Sequence, residues 1–245
     1  MAVETDKQTE PGRDRAVVVV GGTSGIGAAI AARFADAGAR VLAAGLDADR
    51  AAASLPQGVR AVEVDLTNSE QLELFLGGLD RLDVLVNAAG LIRRDEEYAP
   101  EVFTRVVWIN LLGTMRACVA ARDALHRTGG CVVNVASMLS YFGGPRAPAY
   151  AASKGGIVQL TKSLAVAWAE DGIRVNAVAP GWIRTRLTSA LHTDPDAARR
   201  VTERTPMGRW GEPEEVAGAV HFLCGPDARF ITGTVLPVDG GYLAA

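Results

Sequence analysis

Tyr150 and Lys154 stand four residues apart in the run Tyr150-Ala151-Ala152-Ser153-Lys154-Gly155-Gly156. On a helix this spacing places a phenol and an ammonium on one face, one turn apart. A free phenol ionises near pH ~10, so its anion is scarce at neutral pH. An ammonium at ~4 Å, with an effective dielectric of about 20, favours the phenolate by roughly 4 kcal/mol, enough to make a tyrosine a proton shuttle. The plainer reading is a surface lysine beside a core tyrosine, so the surroundings decide. Ser137 precedes the pair, at the end of the apolar run 131–136. A hydroxyl there can donate to a substrate carbonyl oxygen, or only close a turn.

Further upstream the valine run 17–20 leads into Gly21-Gly22-Thr23-Ser24-Gly25-Ile26-Gly27. A strand, a glycine-rich turn and a helix form a phosphate cradle. The glycines admit a pyrophosphate close to the backbone, and the helix N-terminus offers N–H donors and positive potential. The spacing Gly21-x3-Gly25-x-Gly27 is not the commoner Gly-x-Gly-x-x-Gly, and a glycine turn alone is a weak signal. Asp65 and Leu66 follow the run 61–64. The carboxylate is placed to accept a hydrogen bond from an adenine amino group, or to cap an ordinary turn. Asn87-Ala88-Ala89-Gly90 follow another apolar run, where small residues let the backbone pass close to a cofactor or simply turn.

The elements that must position these groups alternate along the chain. β-Branched runs at 16–20, 40–44, 59–64, 82–86, 130–136, 174–178 and 234–238 read as strands. Amphipathic stretches at 25–37, 68–77, 100–127, 150–170 and 213–223 read as helices. Apolar strands between helices imply an α/β fold: one Rossmann-like, doubly wound parallel sheet with helices on both faces. The expected organisation is a polar tail over residues 1–14 and one domain over 15–245. The polar stretch 185–205 interrupts the alternation and is expected to be a substrate lid.

Composition narrows the chemistry. The formal net charge of -3 argues against a nucleic-acid binder that relies on a basic surface. No apolar run long enough to span a bilayer is apparent. Cys118, Cys131 and Cys224 read as reduced and partly buried. With His126, His192 and His221 they show no ligand spacing, so no metal site is expected. The expected location is the cytoplasm. Between Gly155 and Ala169 the only formal charge is Lys162, and the 100–127 helix is similarly apolar. Both exceed what one sheet face can cover, which predicts an oligomer.

Taken in order, Gly21 to Gly27, Asn87 to Gly90, Asn110, Ser137, Tyr150, Lys154 and Pro180-Gly181 resemble the short-chain dehydrogenase/reductase family. The resemblance runs from about residue 15 to the C-terminus. It implies hydride transfer between a nicotinamide and an alcohol or ketone. It makes Tyr150 the general acid/base and Ser137 the group that orients the substrate oxygen. Lys154 would bind the nicotinamide ribose and lower the tyrosine pKa, and Asn110 would hold a water that links Lys154 to solvent. Pro180, Gly181, Ile183 and Thr185 would contact the nicotinamide end. The family also implies a homotetramer. Val20 and Ala88 replace residues common in the family, which removes one local hydrogen bond and puts one strand-linking contact in doubt.

The dinucleotide is read from the end of the second strand, where the chain has Gly45-Leu46-Asp47. Asp47 could bind the ribose hydroxyls or cap the next helix. No basic residue follows it directly and Ser24 occupies the loop, so a 2′-phosphate lacks an obvious partner. NAD is expected, with NADP the alternative should Arg50 intervene. The segments Gly90-Leu91-Ile92-Arg93-Arg94, Ala136-Ser137-Met138-Leu139-Ser140, Gly143-Gly144-Pro145-Arg146 and Arg209-Trp210-Gly211 resemble the branch containing 2-deoxy-D-gluconate 3-dehydrogenase and 2-dehydro-3-deoxy-D-gluconate 5-dehydrogenase. That implies a sugar-acid substrate, whose carboxylate suits an arginine fork. Arg94 and Arg146 are the candidates, with Met138 and Leu139 as pocket walls. The alternatives are reduction of a 3-oxoacyl thioester, turnover of a steroid or other alcohol, or dinucleotide binding without catalysis.

Overall fold

The computed structural model of the chain describes residues 14–245, so the tail read over residues 1–14 lies outside it except for Asp14. Seven strands form one parallel sheet: β1 (Ala16–Val20), β2 (Arg40–Gly45), β3 (Val59–Glu63), β4 (Val84–Asn87), β5 (Cys131–Val135), β6 (Arg174–Pro180) and β7 (Val235–Val238). The helices are α1 (Gly25–Asp36), α2 (Ala48–Ala52), α3 (Ser69–Gly77), α4 (Pro100–Val107), α5 (Gly113–His126), α6 (Pro148–Ala167), α7 (Ser189–His192), α8 (Pro195–Arg204) and α9 (Pro213–Leu223). The sheet order is β3-β2-β1-β4-β5-β6-β7. Progression reverses between β1 and β4, which opens a crevice at their C-terminal ends.

Strand alternation sorts the core. Val17 and Val19 join Ile30 and Phe34 of α1 and Val216 and Val220 of α9 on one face. Val18 and Val20 join Leu72 and Leu76 of α3 and Ala117, Cys118 and Leu125 of α5 on the other. Because both faces are covered, β1 reads as an unbroken valine run rather than as an alternating pattern.

Three regions differ from the sequence reading. The expected helix over 100–127 is interrupted by a π-helical turn, Trp108–Leu112, between α4 and α5. The wider turn carries Asn110, fully buried. The stretch 185–205, expected as a lid, forms a 3-10 turn followed by α7 and α8, with Asp194 capping α8 through the Asp196 and Ala197 N–H groups. The short α2 follows Asp47 directly, a helix that the amphipathic pattern alone does not mark. The sequence also shows no obvious membrane-length run, yet the helical stretch Pro100–His126 is long and apolar enough to cross a membrane. One side of that stretch covers the sheet; the other leaves Phe103, Trp108 and Val119 exposed.

Candidate active site

The glycine turn occupies the crevice after β1. Gly21 has φ +83°, and an added Cβ there would sit 2.4 Å from the Ala89 nitrogen. At Gly27 an added Cβ would lie 2.0 Å from the Gly21 carbonyl oxygen. These contacts require glycine and hold the turn close against the end of β4. Ser24 occupies the N-cap of α1 in extended backbone with no side-chain capping bond, and the first turn carries no acidic residue. The N–H groups are therefore left for an anion, and the donor set fits a dinucleotide pyrophosphate. Thr185 crosses this turn, its methyl 3.5 Å from the position of a Cβ at Gly25.

At the end of β2, Asp47 has left-handed backbone (φ 57°), is exposed, and makes no capping bond to α2. Glu63 caps that helix instead, accepting from the Ala48 N–H at 2.8 Å. The capping alternative for Asp47 is thus replaced by a carboxylate at the C-terminal edge of the sheet that has no partner among the described residues. Asp65 uses Oδ1 to accept from the N–H and hydroxyl of Thr67, both at 2.8 Å, as a turn aspartate does. Leu66 packs against α5. Asn87 donates to Cys118 Sγ and to Asn134 Oδ1, while Asn134 donates to Thr161, forming a buried polar tie from β4 through β5 to α6. Ala88 donates its N–H to the Val20 carbonyl at 2.8 Å.

Ser137, Tyr150 and Lys154 meet in one cleft of about 130 Å³, with Gly90, Arg94, Met138, Leu139, Pro180, Gly181, Ile183 and Thr185 on its walls. Lys154 is 3 % exposed, and its Nζ donates to the Val135 carbonyl at 2.6 Å. Burial lowers its ammonium to about 8. Burial raises the Tyr150 phenol; the Ser137 hydrogen bond and the charge of Arg94 oppose the rise, and Glu97 adds to it. Lys154 lies 5.7 Å from the phenol ring centroid with its Nζ donating to a carbonyl, and Arg94 adds a second cation that favours the phenolate.

Asn110, buried in the π-helical turn, is tied by its side chain. Its Oδ1 accepts from the Leu91 N–H at 2.7 Å, and its Nδ2 donates to the Leu91 carbonyl and to Ser153 Oγ at 2.9 and 3.0 Å. Its amide clamps the chain after β4 to α6, and one lone pair of Oδ1 is left over from these bonds.

The two candidate arginines separate. Arg94 reaches the cleft, where its only hydrogen bond among the described residues is to the Leu187 carbonyl at 3.3 Å. Arg146 forks onto Asp95 at the surface and does not line the cleft, so it is withdrawn as a carboxylate ligand. Sequence reading missed Trp182, which lines the cleft, and Glu97, which is fully buried behind it. Glu97 stands in the run Asp95-Glu96-Glu97, which reads as a solvated surface, so no local signal marks it. Among the described residues no cluster of three metal-ligating side chains occurs.

Comparisons with known proteins agree with this architecture. The family model described as enoyl-(acyl carrier protein) reductase matches residues 20–243. A 2-dehydro-3-deoxy-D-gluconate 5-dehydrogenase from Bacillus subtilis (strain 168) is 34% identical, over 95% of this chain and 96% of the relative. An uncharacterized short-chain type dehydrogenase/reductase of Sinorhizobium fredii is 40% identical over 98% of this chain, which spans 45% of that relative's length. A solved structure from Agrobacterium tumefaciens, provisionally named 2-deoxy-D-gluconate 3-dehydrogenase and holding NADP, superposes with a TM-score of 0.90 at 38% identity. It covers 97% of this chain and 100% of its own. A phosphate-binding glycine turn and a serine–tyrosine–lysine cleft on this sheet, with relatives of that kind, lead to one conclusion: the chain belongs to the short-chain dehydrogenase/reductase family.

Proposed function

We propose that the protein interconverts a secondary alcohol and a ketone on a small hydroxy acid of the sugar-acid class, with NAD as its preferred dinucleotide. The observation that carries this reading is the guanidinium of Arg94, which has no carboxylate partner among the described residues, in the same cleft as Ser137 and Tyr150. Family membership and sugar-acid dehydrogenases among the relatives support it. The turn from Gly21 to Gly27 would hold the pyrophosphate, Asp47 the adenosine ribose and Asp65 with Leu66 the adenine. Asn87 to Gly90 and Pro180 to Thr185 would flank the nicotinamide end. When bound, the dinucleotide supplies the two-electron redox chemistry. The chain does the rest. Arg94 holds the carboxylate in a bidentate grip, Ser137 donates to the reacting oxygen, and Tyr150 takes its proton during oxidation. The 185–205 segment closes over the substrate, and the exposed faces of α4, α5 and α6 pack against other copies in a homotetramer.

A panel of sugar acids, uncharged alcohols and acyl thioesters, each assayed with NAD and NADP, tests this reading. Turnover confined to acyl thioesters overturns it. Arg94→Leu should raise KM for carboxylated substrates about tenfold to fiftyfold, the scale of a lost charge-assisted fork, while leaving uncharged alcohols within about twofold. It should also move the alkaline limb of oxidation to higher pH, because a cation favouring the phenolate is gone.

For the dinucleotide, Asp47→Ser should lower the NAD-over-NADP preference about tenfold, mainly through tighter NADP binding, as measured by titration. An unchanged ratio removes Asp47 from recognition.

A further inference from the structure

Behind Tyr150 lies a charged group that the reaction does not touch. Glu97 is 0 % exposed, and both its oxygens are engaged: Oε1 accepts from the Arg93 N–H at 2.8 Å and Oε2 from the Tyr150 N–H at 2.9 Å. Tyr150 is the third residue of α6, so its N–H is one of the four that a helix leaves without an internal partner. The helix supplies no cap of its own. Its N-cap is Ala147, which has no side-chain oxygen, and Pro148 has no N–H. A carboxylate 53 residues earlier fills the place, where the positive end of the helix also favours it.

The same loop is pinned at other points. Asn110 holds both the N–H and the carbonyl of Leu91, and donates to Ser153, which donates to the Tyr150 carbonyl at 2.8 Å. Asp95 pairs with Arg146, and the Tyr98 hydroxyl donates to the Pro145 carbonyl at 2.9 Å. Tyr150 is therefore held by its N–H through Glu97 and by its carbonyl through Ser153, and both ties lead to the segment that carries Arg94.

We propose that Glu97 is a positioning residue, whose buried carboxylate fixes the first turn of α6, and with it the Tyr150 phenol, against the loop that presents Arg94. The distance between the proton-moving oxygen and the carboxylate anchor is then set by the protein before substrate arrives. This rests on the reading of Tyr150 and Arg94 given above. A side chain that misplaces a reacting group by about 1 Å can cost on the order of a hundredfold in rate.

Glu97→Gln and Glu97→Asp test it in the full-length protein, on the best substrate of the panel. A neutral amide cannot accept from both N–H groups, because one of its ends donates. We expect Glu97→Gln to lower kcat at least about tenfold, with dinucleotide affinity within about twofold of the parent. The charged groups facing the phenol are Arg94 and Glu97 from the loop after β4 and Lys154 from α6, with Ser137 as a neutral donor after β5. Removing the negative one moves the alkaline limb of kcat to lower pH, whereas Glu97→Asp keeps the limb and still loses rate through its shorter reach. A merely structural role would move neither limb.

Ala147→Ser supplies a local cap and keeps the test readable should Glu97→Gln alone fail to fold. In the double variant the helix recovers stability but kcat stays low. Recovery of kcat in that variant overturns the proposal, as does a Glu97→Gln enzyme with parental kcat and pH limb. If Tyr150→Phe is active the underlying reading fails; if Tyr150→Phe is inactive and Glu97→Gln is normal, only this inference fails.

Discussion

Tyr150→Phe should lower kcat by about three orders of magnitude, within the range for loss of a general acid/base, while dinucleotide affinity stays within about twofold. The substitution removes one oxygen. The ring still fills its place, the main-chain N–H still reaches Glu97, and the carbonyl still accepts from Ser153, so the first turn of α6 keeps its position. No neighbour can take over the proton. Lys154 carries its own until the pH passes about 8, and its Nζ is directed at the Val135 carbonyl. Ser137 lacks a base of its own. In the parent enzyme, burial holds the phenol above its ordinary value, so the rate of oxidation should rise with pH through the alkaline range; reduction, which needs the protonated phenol, should fall over the same range. Steady-state rates across pH, with nucleotide binding followed by titration, separate chemistry from binding. A phenylalanine variant that keeps a tenth of the parental rate would remove Tyr150 from the proton-moving role.

That prediction starts from a pair legible in the sequence, and the contrast with its surroundings shows where legibility ends. Strand positions followed from β-branched runs, because a sheet covered on both faces needs apolar residues on both. The glycine turn was legible because its required close approaches leave only one residue type. Periodicity gave the helix around Asn110 but not its π-turn, since one extra residue barely disturbs the apolar stripe. Arg94 and Arg146 look alike as loop arginines; only the fold brings Asp95 to one of them and the cleft to the other. Asp47 carried two readings until Glu63, from the neighbouring strand, was seen to cap α2. Glu97 was invisible for the same reason: its Tyr150 partner is distant in the chain, and the two residues before it are acidic and exposed. Groups whose roles depend on a partner far along the chain are those that composition and spacing leave undecided.

Gly27→Ala should produce the complementary phenotype, a dinucleotide Kd weaker by at least about two orders of magnitude. An added methyl would lie 2.0 Å from the Gly21 oxygen and 2.7 Å from its carbonyl carbon, both backbone atoms that cannot rotate away. Neither side can retreat without cost. Gly21 has the Ala88 and Ala89 backbone directly behind it, within 2.4 to 2.8 Å of where a Cβ would stand. α1 is fixed to the sheet by Ile30, Ala31 and Phe34, all 1 % exposed or less. The strain must then fall on the turn, which tilts the N–H groups away from where a pyrophosphate would accept from them. Overpacking of this kind costs about 1–3 kcal/mol of stability, and misaligned donors lose the charge-assisted hydrogen bonds that hold the phosphates. Gly77→Ala is the matched control, because nothing lies within 4 Å of its added Cβ and Gly77 is exposed at the end of α3. There alanine should leave binding unchanged and add up to about 1 kcal/mol of stability. Calorimetric titration with NAD and with NADP, alongside urea unfolding of both variants, checks the pair. Since Tyr150 and Ser137 are left in place, kcat at saturating nucleotide should recover most of its parental value in Gly27→Ala. A Kd within about threefold of the parent would mean that the turn does not hold the phosphates, and the cofactor site would have to be sought elsewhere along the crevice.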